Sequence, residues 1–366
     1  MDAGELRHPF SEFQFPFKRA EAQSNVRTSQ LEALVRVLCF YLAALVLLIV
    51  PGSALQYSLG LTGVVITQLL IFVALPLLFT LKVEKRSAQP FLRLRMLNLR
   101  GWARSVLLGT VGWLAAQLMG AVLVLVVQQL GGEMVQTYQI LLDASSWLAL
   151  LVGAVLPAVC EELSFRGYVL GALRPLGPTA AVLLTGLLFG ALHLSLVRLV
   201  PLALLGMLWA LSVQRSGSIL PGMVMHLLNN GIALGLTFFV QEQSNPADLA
   251  SLDAVPDGAV WLSAAMLGAM AVGLGVTAYF LAAGFSPRHL LRPLNPEEEW
   301  DQGAEPPPAA DGAAADAPEL RSPSAELALL KRRRRRLLGA AALLIGGISF
   351  AIYLWAAAQE LAVVFG

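Results

Sequence analysis

Nine runs of mostly apolar residues punctuate this chain, and most of them are about as long as a bilayer is thick. They fall at 33–51, 59–81, 105–130, 146–173, 178–197, 199–213, 219–240, 259–284 and 337–358. A helix needs ~20 apolar residues to cross the hydrocarbon core, and every backbone polar group there must be paired inside the protein. The runs are continuous and rich in Leu and Ala, which suits helices rather than the alternating strands of a barrel. Composition agrees, with 57% hydrophobic and 13% charged residues against about 25% charged in an ordinary soluble domain. The expected fold class is all-α: a polytopic transmembrane helical bundle of eight core spans plus a C-terminal ninth span. The 199–213 run is the shortest.

The net charge of +1 carries no information about partners, because the charges are segregated. Seven Lys and Arg residues crowd 82–104, and Arg7, Lys18, Arg19 and Arg27 lie in the N-terminal tail, whereas 241–258 is purely acidic. Basic loops stay on the cytoplasmic side, so the N-terminus is expected to be cytoplasmic. The tail lacks the pattern of a cleaved signal. The 82–104 segment alternates apolar and basic residues and reads equally as an interfacial helix or an ordinary basic loop. Cys39 and Cys160 both sit in apolar runs, which gives no disulfide framework.

These features divide the chain into a cytoplasmic tail at 1–32, a membrane core at 33–284, a linker at 285–336 and a final transmembrane helix at 337–366. The linker is rich in Pro, Ala and acid and is expected to be disordered. It ends in "KRRRRR" at 331–336. Beside a span, such a cluster reads as an anchor on anionic lipid rather than a nucleic-acid site. The final apolar run at 337–358 carries no charge and follows a long linker, so this helix need not touch the core and should be dispensable for chemistry.

Inside the nine runs the only carboxylates are Glu161 and Glu162, the only histidines are His193 and His226, and Arg166 is the one basic residue well inside a run. Ionisable groups in a membrane are costly and mark functional sites. Taken singly, each could be a structural helix–helix contact. Residues four apart share a helix face, so Arg166 can neutralise Glu162, while Glu161 is turned about 100° away and is left for chemistry. Phe189 and His193 form a second such couple, and His226 and Asn230 a third.

"EELSFR" at 161–166, "FGALH" at 189–193 and "HLLNN" at 226–230 follow one another on separate runs. In this order and spacing they resemble the Glu-Glu-x-x-x-Arg, Phe-x-x-x-His and His-x-x-x-Asn motifs of the CPBP family. That family includes the type II CAAX prenyl endopeptidases and the bacterial Abi proteins. The resemblance covers about residues 100–240. It implies an intramembrane endopeptidase acting on membrane-associated or lipidated peptides. In such an enzyme Glu161, helped by His193, would activate water. His226 and Asn230 would stabilise the oxyanion, and Glu162 with Arg166 would hold the shape. It also leaves open a divalent metal, zinc, on Glu161, His193 and His226, although the His-Glu-x-x-His motif of zinc proteases is absent from the sequence. The expected surroundings are the lipid bilayer of a bacterial cell membrane, with no nucleic-acid partner. A transporter or proton relay using the same residues, or a non-catalytic scaffold, are the competing readings. A helix running on to about Leu173, or a strongly tilted one, would bring Glu161 to the depth of His193, and His226 would need a tilted helix or one that starts late.

Overall fold

The computed structural model describes residues 15–132, 141, 143–243, 257–286, 288 and 325–365. The first part of the N-terminal tail, Glu133 and most of the linker lie outside them. Among the described residues all regular elements are helical, and the protein is an integral membrane helical bundle. Eight helices among these residues are long and apolar enough to cross a bilayer. In chain order they are α1 (Val26–Leu59), α2 (Leu61–Val83), α3 (Leu99–Gln129) and α4 (Ser146–Ala172), then α6 (Leu196–Ser216), α7 (Leu220–Gln243), α8 (Asp257–Ala283) and α9 (Ala325–Phe365). Between α4 and α6 lies the shorter α5 (Pro178–Leu192).

Two boundaries differ from expectation near the start. "PGSALQYS" at 51–58 reads as a loop, yet the chain stays helical to Leu59. Pro51 has no N–H to donate, and the helix absorbs it in a π-turn at Leu48–Gly52. The chain reverses instead at Gly60, whose φ of 57° and ψ of −132° suit glycine. The run expected at 178–197 is a helix of only 15 residues, and the run that looked shortest is a full helix of 21. His193 closes α5 as its C-terminal cap, and Leu194 turns into a left-handed conformation with φ 52°. This sharp turn leads straight into α6, so α5 ends inside the bundle.

The basic segment before α3 is not an interfacial helix. Only Ala88–Phe91 is helical, and Phe91, Leu92, Arg93 and Leu97 are buried. Arg93 donates to the Arg166 carbonyl at 3.1 Å, and Arg95 to the Gly217 carbonyl at 3.1 Å. The Ile219 amide donates to the Arg93 carbonyl at 3.0 Å. The basic side chains here serve as donors to backbone carbonyls, one within α4 and one at the end of α6, and the α6–α7 turn is thereby covered and starts α7 deep in the protein.

Helix α4 is at the centre. Half of its most apolar window is buried, against 11% for α3 and α8, which turn large side chains such as Met266, Met270 and Phe280 outward. Helices α5 and α6 cross closely, because a Cβ on Gly206 would lie 2.9 Å from the Gly186 Cα. Small residues at such crossings let backbones approach where lipid gives no hydrophobic drive.

Helix α9 differs most from expectation. It begins at Ala325, so the basic cluster is helical rather than part of a disordered linker. Arg334 pairs with Glu32 at 2.6 Å, and Gly346 lies against Leu38 of α1. The helix therefore packs on the core along α1, and beyond the 337–358 run it carries Glu360.

Candidate active site

Helix α4 presents both glutamates to the bundle interior, and π-turns shape it on each side. Pro157 follows a π-turn at Leu151–Val155, and a second runs over Leu163–Val169. The helix runs unbroken to Ala172, eleven residues beyond Glu161, or ~17 Å at the helical rise. His193 lies fifteen residues from the start of α5, or ~22 Å. A long α4 and a short α5 therefore bring the two to similar depth. His226 reaches that depth because α7 starts under the Arg93–Arg95 segment.

Glu162 and Arg166 are fully buried and paired at 2.6 Å. Arg166 also donates to the Gly206 carbonyl at 3.2 Å and lies over the rings of Phe189 and Trp209, at 4.2 and 5.0 Å from their centroids. This explains the phenylalanine of the second motif: its face takes part of the guanidinium charge. The same ring makes T-shaped contacts with His193 and His226, with centroids 5.1 and 5.9 Å apart. The Glu162 Oε2 atom is lodged against Gly222, where a Cβ would collide with it.

His226 Nδ1 is 3.0 Å from Glu162 Oε1. A carboxylate already paired with arginine accepts, so Nδ1–H donates and the ring is oriented. Its Nε2 then faces Glu161 Oε2 at 4.0 Å. The Trp209 indole stacks on the imidazole, 4.8 Å away and tilted by 30°. His193 Nδ1 lies 3.0 Å from the Phe189 carbonyl. A carbonyl can only accept, so this nitrogen is also the donor and the neutral ring keeps its lone pair on Nε2.

Glu161 is held differently. Its Oε1 accepts from Gln68 Nε2 at 3.0 Å, and its side chain stays 12% exposed where that of Glu162 is 0%. Asn230 stands somewhat apart. It donates to the Gly153 carbonyl at 3.1 Å and accepts from Asn229 at 3.0 Å. Gly153 precedes Glu161 by eight residues, ~12 Å along α4. One N–H of its amide is thus committed to the helix backbone, and one remains.

The structure joins Glu161, Glu162, Arg166, His193, Phe189 and His226 through a continuous set of ion-pair, hydrogen-bond and ring contacts, and places Asn230 at its margin. Sequence reasoning missed Gln68, Trp209, Asn229 and Gly222. Gln68 and Asn229 had a detectable signal, as amides inside apolar runs; Trp209 and Gly222 have none.

The zinc set expected from the resemblance, Glu161, His193 and His226, is not drawn together as a group of three ligands. Among the described residues no three His, Cys, Asp or Glu side chains are grouped so as to hold a metal ion.

Fold and site together define a polytopic membrane protein with a carboxylate–arginine–histidine centre enclosed by α4, α5, α6 and α7. Residues 143–232 match the family model described as Type II CAAX prenyl endopeptidase Rce1-like. Over this segment the chain is similar to that CAAX protease family. The segment contains all seven motif residues and is narrower than the 100–240 region over which the resemblance extends. No curated protein matches the chain, and no solved structure does.

Proposed function

We propose that the protein is an intramembrane endopeptidase in which Glu161 activates water. The carrying observation is the 4.0 Å between Glu161 Oε2 and His226 Nε2. That is too long for a direct hydrogen bond and suits one water bonded to both. Glu161 takes a proton from that water, and the hydroxide oxygen adds to the peptide carbonyl carbon. The proton then passes from Glu161 to the amide nitrogen as the C–N bond breaks. His193 Nε2 accepts the water's second hydrogen and aims it. His226 keeps Nδ1–H on Glu162 and turns Nε2 toward the reacting carbonyl, where a hydrogen on Nε2 would be given to the oxyanion, with the remaining Asn230 N–H as second donor. Donors aimed at developing charge in a dry site are worth several kcal/mol.

The substrate class is a membrane-associated or lipidated peptide, and the segregation of Lys and Arg supports a cytoplasmic N-terminus, in our reading within a bacterial cell membrane. The test uses a fluorophore–quencher peptide ending in a prenylated Cys-aliphatic-aliphatic-X sequence, with its unprenylated form, in proteoliposomes. Glu161→Gln keeps size and hydrogen bonding but removes the base, and should lower the rate by at least ~100-fold with insertion unchanged. Cleavage by this variant at the wild-type rate would remove Glu161 from the mechanism. Because no step here runs through a metal, rates should be unchanged after prolonged chelation by 1,10-phenanthroline. Loss of activity restored by zinc would reverse that part of the reading.

A further inference from the structure

The contact that nothing in the motifs anticipates is made by α9. The Glu360 carboxylate accepts from the Ser195 hydroxyl and from the Leu196 amide N–H. Seven residues earlier on the same helix, the buried Tyr353 donates its hydroxyl to the Ser195 carbonyl at 3.4 Å. Ser195 is the N-cap of α6, its hydroxyl accepting from the Arg198 amide at 3.1 Å. Its position is two residues after His193.

We propose that Glu360 and Tyr353 are positioning residues for His193, so that α9 is part of the working site. The proposal rests on the protease reading above. The chain between α5 and α6 is only His193, Leu194 and Ser195. Leu194 holds φ at 52° without being glycine, a conformation that persists only where the surroundings impose it. From the α5 side His193 is tied by its bond to the Phe189 carbonyl. From the α6 side the turn is tied by α9: Glu360 takes up one of the free N–H groups that every helix start leaves, and its negative charge suits that end of the helix dipole. The two ties set the direction of the imidazole. The opposite end of α9 is fixed by Arg334 on Glu32, which sets the height at which Glu360 meets the turn. The final helix therefore links a basic cluster at one end of the bundle to the active-site turn near the other.

The experiment uses full-length protein in nanodiscs. Cleavage of the prenylated reporter peptide is measured alongside amide hydrogen exchange over 193–198. Glu360→Ala should lower kcat by ~10- to 100-fold, the cost of displacing a reacting group by about an ångström. KM should move less than about twofold, as for an interaction not used in ground-state binding. Exchange protection of the Leu196 amide should be lost. Glu360→Gln keeps one acceptor oxygen and should lie between, and Tyr353→Phe should show a smaller loss in the same direction. Exposed Gln359→Ala should leave both readouts at wild-type values. Should Glu360→Ala fail to insert, Glu360→Gln and Tyr353→Phe carry the test. Wild-type kcat in these variants overturns the proposal, whether or not protection changes. If the wild-type protein cleaves neither peptide, the protease reading falls by itself, and the Leu196 amide still decides whether α9 holds the turn.

Discussion

Glu161 and Glu162 are adjacent in sequence, and the two faces of α4 on which they stand are built differently. On one face Glu162 is wholly enclosed, with Arg166 at 2.6 Å and His226 at 3.0 Å on a single oxygen, and Phe189 and Trp209 stacked over the guanidinium. On the other face Glu161 holds a single amide hydrogen bond, from Gln68, and keeps access to space beside His226. A buried charge is tolerated when its partner is close and the cation is spread over aromatic rings. A charge meant to exchange protons needs the opposite: an oxygen that no permanent cation has taken. His226 spans the two faces, drawing orientation from Glu162 with one nitrogen and facing Glu161 with the other.

That contrast can be broken on the enclosed face first. Arg166→Ala leaves Glu162 buried without its cation and should destabilise the protein by about 3–5 kcal/mol, seen as a lower thermal midpoint in detergent. The double change Glu162→Gln with Arg166→Met should recover part of that loss. Strict additivity of the two changes would show that the pair is not coupled. Next, Gly222→Ala puts a methyl group where the Glu162 carboxylate lies. It should cost about 1–3 kcal/mol, as overpacking does, and it should perturb His226 through Glu162. Such a variant with wild-type stability and activity would mean that α7 can move away freely.

The smallest effect belongs to the open face. Gln68→Ala removes the donor that aims Glu161 and should slow cleavage about tenfold, or ~1.4 kcal/mol, with the thermal midpoint nearly unchanged. If Gln68→Ala proves as destabilising as Arg166→Ala, the division between an enclosed and an open face is wrong.

Much of this site was legible in the chain, for reasons that differ between residues. The Glu162–Arg166 pair follows from four-residue spacing on one helix, a local rule. The assignment of Glu161 as the less encumbered carboxylate follows from the same rule. The long α4 was legible as well, because a shorter one would have kept Glu161 and His193 apart. The end of α5 at Leu192 was hidden, since "LHLSL" continues the apolar pattern and only the left-handed Leu194 ends the helix. Arg93 and Arg95 looked like solvated loop charges, yet they bond to carbonyls 73 and 122 residues away. The expectation that α9 need not touch the core rested on linker length, which limits reach and says nothing about where a helix comes to rest.

The sequence by itself determined the class of the molecule, since unbroken apolar runs of this length can satisfy their backbones in lipid only as helices. It also determined which few side chains would carry charge there, and which of them share a helix face. The tertiary structure alone decided how deep each helix starts and stops, and hence that His193, His226 and Glu161 meet. It decided that Gln68 aims the glutamate, that Trp209 and Phe189 enclose the arginine, and that Glu360 reaches the turn after His193 from 165 residues away. The physical reason is one of range. Helical periodicity acts over a few residues, whereas these contacts depend on how separate helices cross, tilt and end, and local periodicity does not set that.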